Sequence, residues 1–263
     1  MSEHKLINIL TKDECEYIVD KIDSFRDQWI KRENGPFHYY TIGTATHLDI
    51  EPFDSISQET KELIAYNNDF LKNNFSELYN KVIKAIELEF GNAELVEDAP
   101  IPGFFCYGES KPNSIERVFV EPMGGKTHIH QDEQFSSLDY IWTKYNDVEH
   151  ETIGFTLPLE TPEYGAAFLL WDQPDLGNYM PGSIADIYKS YNYNDNEGNV
   201  STINDWISNK VPEVIEHLPG RMMLQRGPQW HATGFSVAPL STDRRITLQG
   251  FGVRCDGVWR LFF

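Results

Sequence analysis

Thr127-His128-Ile129-His130-Gln131-Asp132 is the stretch on which the reading of this chain turns, and Trp230-His231-Ala232 answers it later in the sequence. Side chains two apart on a strand share a face, so a strand over 127–135 would point His128, His130 and Asp132 the same way. Two imidazoles and one carboxylate can cover one triangular face of an octahedral ion and leave the opposite face open. His130, Asp132 and His231 are therefore the candidate metal ligands. The competing reading is a hydrogen-bonded trio, since imidazoles and carboxylates are seldom buried without partners. His128 is open between a substrate contact, a support for the ligands and a ligand itself.

Beyond His231 comes Arg244-Arg245-Ile246-Thr247. Arg245 and Thr247 share a strand face, and a planar guanidinium with a nearby hydroxyl suits a carboxylate; the alternative for Arg245 is a structural salt bridge. Arg244 would point the other way, towards surface acids. The segments around these residues are short and β-prone: Arg117–Glu121, Thr127–Phe135, Thr152–Leu159, Ala166–Trp171, Arg221–Leu224 and Arg245–Arg254. Before them the pattern is helical. Thr11-Lys12-Asp13-Glu14 reads as a capping box, and Ile18, Ile22, Phe25 and Trp29 predict a helix over about 12–31. Leu71, Phe75, Leu78, Val82 and Ile86 predict a second helical region over 58–90, ended by Gly91, with Asn67-Asn68 and Asn73-Asn74 as the points where it would divide into two helices. Between the two, His38–Gly43 reads as a short strand or a loop beside the substrate.

Helices first and strands afterwards predict an α+β, mainly β fold of one domain, 1–263. In it, 1–91 would be mainly helical support and 92–263 a β-barrel core. A segment over about 172–210, with Pro174, Pro181 and four tyrosines, interrupts the strands as a lid-like insertion or a disordered loop.

The 263 residues carry 22 Lys+Arg against 41 Asp+Glu, a formal charge of −19 that argues against nucleic-acid and anionic-membrane partners. Such a balance is compatible with a cationic or zwitterionic small molecule. Cys15, Cys106 and Cys255 show no metal or disulfide spacing and read as reduced structural thiols. No leader-like apolar run starts the chain and no window reaches the roughly 18 apolar residues of a span, so a cytoplasmic location is expected.

The ordered set His130-x-Asp132, His231 and Arg245-x-Thr247 resembles the Fe(II)- and 2-oxoglutarate-dependent oxygenases. Pro219-Gly220 followed by Arg221–Leu224 is similar to the turn and apolar strand that precede the last ligand in that family. The resemblance covers about 100–263 and implies a double-stranded β-helix (jelly roll) with supporting N-terminal helices. It implies Fe(II) on His130, Asp132 and His231, with O2 as the oxidant. Arg245 and Thr247 would hold the distal carboxylate of the cosubstrate 2-oxoglutarate, which leaves as succinate and CO2. Asp132 is present where related halogenases carry Gly or Ala, which favours hydroxylation or another oxidation with no halide ligand.

The substrate would be a small molecule such as a free amino acid or a natural-product intermediate. His128, Glu133, Glu121, Tyr107 and Trp171 are the candidate substrate or supporting residues, with Tyr39 and Asp172 as further pocket candidates. Two rival readings stand beside this one. A cupin-type metalloprotein would use His128, His130, Glu133 and His231 without 2-oxoglutarate, but leaves Arg245-x-Thr247 unexplained. A non-catalytic barrel that only binds its ligand leaves the apparent triad unexplained. Oligomeric state is not encoded in any motif.

Overall fold

The computed structural model describes residues 4–32, 39–50, 56–107, 132, 138–162, 164–165, 167–171, 211–227, 229–233, 236–237 and 244–263. Strand β1 (His4–Asn8) comes first, and Thr11 then starts helix α1 (Lys12–Ser24) through the expected capping box. The Thr11 hydroxyl accepts from the Glu14 amide at 3.3 Å, and the Glu14 carboxylate accepts from the Thr11 amide at 2.8 Å. The helix stops short of residue 31. After Ser24 the backbone tightens into a 3-10 turn, Arg26–Gln28, and leaves as strand β2 (Ile30–Arg32). Pairing of β2 with β3 (Tyr39–Ile42) replaces the last helical turns, and within the expected His38–Gly43 segment Tyr39–Ile42 is strand, while His38 lies outside the described residues. Trp29 still meets the core: its indole N–H donates to the Ile22 carbonyl at 3.1 Å and its ring packs on Tyr40.

A one-turn helix α2 (Thr46–Asp49) leads to the long α3 (Gln58–Phe90), whose predicted stripe of Leu71, Phe75, Leu78, Val82 and Ile86 is buried. One kink interrupts it at Phe75 (φ −128°, ψ 25°), directly after Asn73-Asn74. There the Asn74 amide donates to the Phe70 carbonyl at 2.9 Å, a side-chain intrusion of the kind that bends helices.

Strands then dominate: β4 (Ala93–Leu95), β5 (Gly103–Tyr107), the short helix α4 (Asp139–Trp142), β6 (Val148–Glu160), β7 (Tyr164–Gly165) and β8 (Phe168–Trp171). After them come β9 (Glu213–Ile215), β10 (Arg221–Arg226), β11 (Trp230–Thr233), β12 (Ser236–Val237), β13 (Arg245–Cys255) and β14 (Val258–Phe262). The major sheet runs β1-β10-β6-β13-β5-β3-β2, antiparallel along this path, with β14 beside the second half of β13 and β4 parallel to β14. A minor sheet runs β11-β8-β9, and β7 pairs β12 separately. β1, β2 and β3 belong to the major sheet, so the N-terminal third supplies strands as well as helical support; paired strands there cover open sheet edges.

The major sheet buries both faces. Phe104, Cys106, Ile153, Phe155, Leu157, Met222, Leu224, Ile246 and Leu248 join the α1 and α3 side chains in one core on the outer face. On the inner face Met223 packs with Phe168, Leu170 and Ile215 of the minor sheet, which holds the two sheets together. The Pro219-Gly220 turn anchors this arrangement. Gly220 has φ +82°, its carbonyl accepts from the amides of Ile9 and Leu10, and a Cβ there would lie 2.3 Å from the Leu10 carbonyl oxygen. Cys15, Cys106 and Cys255 are free, buried thiols, as read from their spacing. Among the described residues, no helix is long and apolar enough to cross a membrane.

Candidate metal centre

His231 lies on β11 opposite Leu170 of β8, so both side chains face the major sheet. The Phe168 ring stacks on the imidazole at 4.9 Å with planes 19° apart, and the histidine is 5% exposed. Its Nδ1 lies 2.8 Å from the Gln229 carbonyl oxygen. A carbonyl only accepts, so Nδ1 carries a proton, and in the neutral imidazole Nε2 keeps its lone pair. That Nε2 lies 3.4 Å from Oδ2 of Asp132. Asp132 also lines a cavity with Thr152, Gly154, Gln225 and Gly227.

An imidazole oriented by a backbone carbonyl, facing a carboxylate, is a donor set that fits a divalent cation. Among the described residues, no third His, Cys, Asp or Glu joins these two. His128, His130, Glu133, Glu121 and Asp172 lie outside the described residues, as do the 127–131 portion of the expected strand and the 172–210 insertion. Asp132 itself belongs to no described strand.

The inner face of the major sheet continues the site. On β13, Arg245, Thr247 and Gln249 alternate towards the minor sheet while Ile246 and Leu248 enter the outer core. Gln249 pairs with Thr156 of β6, and Thr156 with Met223 of β10, which fixes this as the inner face. Next along, Gln225 faces Gly154, where an added Cβ would stand 3.0 Å from the Gln225 amide nitrogen. Arg245 is 6% exposed and Thr247 fully buried. The Gln249 amide donates to the Thr247 hydroxyl at 3.0 Å, which leaves the hydroxyl proton available to an acceptor.

Arg244 points the other way, as expected, but it is more buried than a solvated surface charge. It spans both carboxylate oxygens of Asp23 on α1 at 2.6–2.7 Å and Glu160 at 2.6 Å. This pairing raises its already high pKa and ties β13 to α1 beside Arg245.

The backbone of Tyr107 pairs directly with Arg245, and Tyr39 lies across β5 from it, its ring against Phe105. Burial raises the Tyr39 phenol pKa. Trp171 follows Leu170 on β8, so it projects from the opposite face of the minor sheet to His231, beside Trp230, and away from the candidate centre.

His217 was not singled out by sequence, because it sits alone in a polar connection between β9 and β10 with no periodicity to mark it. It is 4% exposed, and Nη2 of Arg245 lies 3.4 Å from its Nδ1. Burial, then the charges of Arg245 and Arg221, hold its pKa well below the usual histidine value. Phe168, Gln225 and Gln229 were likewise missed, being ordinary apolar or amide residues until the strands bring them to the site.

No protein-family model matches the chain, and no curated protein matches it. Solved structures do resemble it. An N-substituted L-amino acid dioxygenase from Burkholderia ambifaria AMMD, in complex with alpha-KG, superposes with a TM-score of 0.54 at 14% identity, covering 99% of this chain and 86% of that one. A second structure of that dioxygenase gives 0.54 at 16% identity with the same coverage. The likeness extends over nearly the whole chain and shows a shared fold, the jelly roll that the sequence resemblance implied.

Proposed function

We propose that this chain is an Fe(II)- and 2-oxoglutarate-dependent oxygenase that hydroxylates a small molecule. One observation carries the reading: His231 Nε2, oriented by the Gln229 carbonyl, faces Asp132 at 3.4 Å within the same two-sheet interior that receives Arg245 and Thr247. In this reading His231 and Asp132, with His130, hold the metal. The Arg245 guanidinium and the Thr247 hydroxyl bind the distal carboxylate of 2-oxoglutarate. Bound iron, with 2-oxoglutarate and O2, supplies oxidation of a C–H bond with release of succinate and CO2.

The chain's own contribution is positional. The Gln229 carbonyl holds the His231 tautomer, and Phe168 seats the ring and keeps water from its face. Gln249 fixes the Thr247 oxygen so that its proton is presented to the carboxylate. Arg244 locks the start of β13 to α1 and so sets where Arg245 begins.

The proposed substrate is a cationic or zwitterionic small molecule, with amino acids first. The acidic balance of −19 suits it. The dioxygenase that shares the fold is, by its name, an enzyme of N-substituted L-amino acids. Anaerobic addition of Fe(II) and 2-oxoglutarate should give the weak visible charge-transfer band of the chelate. Absence of both band and retained metal would overturn the reading. A screen of free and N-substituted amino acids for succinate release then identifies the substrate class.

A further inference from the structure

We infer that His217, as a neutral imidazole, donates its Nε2–H to the distal carboxylate of the dicarboxylate cosubstrate and makes the site selective for a dicarboxylate over a 2-oxo monocarboxylate. The inference rests on the oxygenase reading above. Arginine donates only, so the 3.4 Å contact from Nη2 of Arg245 makes Nδ1 of His217 the acceptor. The ring proton of a neutral imidazole is then on Nε2. Among the described residues this Nε2 is buried without a hydrogen-bond partner.

A buried N–H with nothing to donate to is unfavourable, and here it lies in a ring that touches the arginine proposed to hold an anion. The neighbours fit the same ligand. Burial, then the positive charges of Arg245 and Arg221, keep the His217 ring neutral, and those two charges attract an anion to the same corner. Thr247 accepts from Gln249 and has its own proton to give. Phe168 packs against both imidazoles, stacked on His231 at 4.9 Å and tilted against His217 at 5.9 Å, so one ring contacts both. An uncharged donor beside the guanidinium strengthens carboxylate binding without placing a third cation in a buried site.

The test uses full-length protein loaded with Mn(II) under anaerobic conditions and measures binding by calorimetry. The two ligands are 2-oxoglutarate and 2-oxopentanoate, which has a methyl group where the distal carboxylate stands. His217→Leu should weaken 2-oxoglutarate by roughly ten- to a hundredfold and leave 2-oxopentanoate unchanged, as expected for loss of one hydrogen bond to a charged group. His217→Gln, which keeps a donor, should recover part of the loss. Equal weakening of both ligands, or of neither, would overturn the inference.

A second measurement needs no variant. Nitrogen-15 spectra of the wild type should show His217 as the Nε2–H tautomer, with that resonance moved by 2-oxoglutarate and not by 2-oxopentanoate. An Nδ1–H tautomer, or a resonance indifferent to both, would also overturn it. Wild-type protein that binds metal but not 2-oxoglutarate would instead sink the oxygenase reading itself, before any variant is compared.

Discussion

Asp132 and His231 are the residues on which the proposed chemistry depends most directly. The carboxylate faces an imidazole nitrogen whose lone pair is kept available by the Gln229 carbonyl, so in the proposed reading removal of the carboxylate takes away a metal donor rather than a packing group. Asp132→Ala should retain the fold and lose at least about a hundredfold in succinate formation and in metal affinity, read by succinate assay and by metal content after dialysis. A variant that keeps full metal content and 2-oxoglutarate turnover would show that Asp132 is not a ligand. At the same scale, Arg244 and Arg245 show how adjacent identical residues acquire different work. Strand alternation sends one to Asp23 and Glu160 and the other to the interior.

At the scale of elements, the α1 cap makes a pH-dependent contribution. The Lys81 ammonium beside Glu14, with the Thr11 backbone and hydroxyl bonds, lowers the Glu14 pKa from 4.5 to about 2. A carboxylate depressed in the folded state adds stability above its unfolded pKa and loses it as the pH falls towards the folded one. The urea midpoint difference between wild type and Glu14→Gln should therefore be constant above about pH 5 and shrink between pH 4.5 and 2. A difference that grows on acidification would contradict the capping arrangement.

β8 carries the other element-scale consequence, because Phe168 touches His217 and His231 and also joins the inter-sheet core. Phe168→Ala should cost about 3–5 kcal/mol of stability and weaken metal and 2-oxoglutarate together. Denaturant unfolding and anaerobic titration check the two effects separately. Unchanged ligand affinity in a destabilised variant would show that the ring packs the core without seating the site.

For the whole molecule, the two sheets meet across an interior that is apolar around Met223, Phe168 and Leu170 and polar around Arg245, Thr247, His217 and Gln225. A cation and a dicarboxylate bound there would bridge the minor sheet to β13 and stabilise the native state by mass action. At a hundredfold excess over Kd, metal with 2-oxoglutarate should add about 2.7 kcal/mol, and EDTA should remove it. That corresponds to a melting shift of roughly 5–10 °C in a chain of this size. A melting temperature indifferent to metal, 2-oxoglutarate and chelator would argue against the site as a ligand centre.

Local chemistry alone determined a good part of this protein. The Thr11–Glu14 cap, the buried stripe of α3, its kink beside Asn73-Asn74, the Gly91 stop and the strands β6, β8, β10 and β13 follow from patterns spanning a few residues. The pairing of Arg245 with Thr247 on one face likewise needs only the two-residue period of a strand. Tertiary structure decided the rest, because it depends on contacts between residues distant in sequence. Strand pairing with β3 ended α1 before residue 31, and edge pairing drew β1 into the major sheet. Sheet register placed Trp171 on the far face of β8, and tertiary packing brought Asp132 to His231. Packing also set His217 against Arg245, a contact invisible to periodicity because its two partners come from a connection and a strand that lie together only in the folded chain.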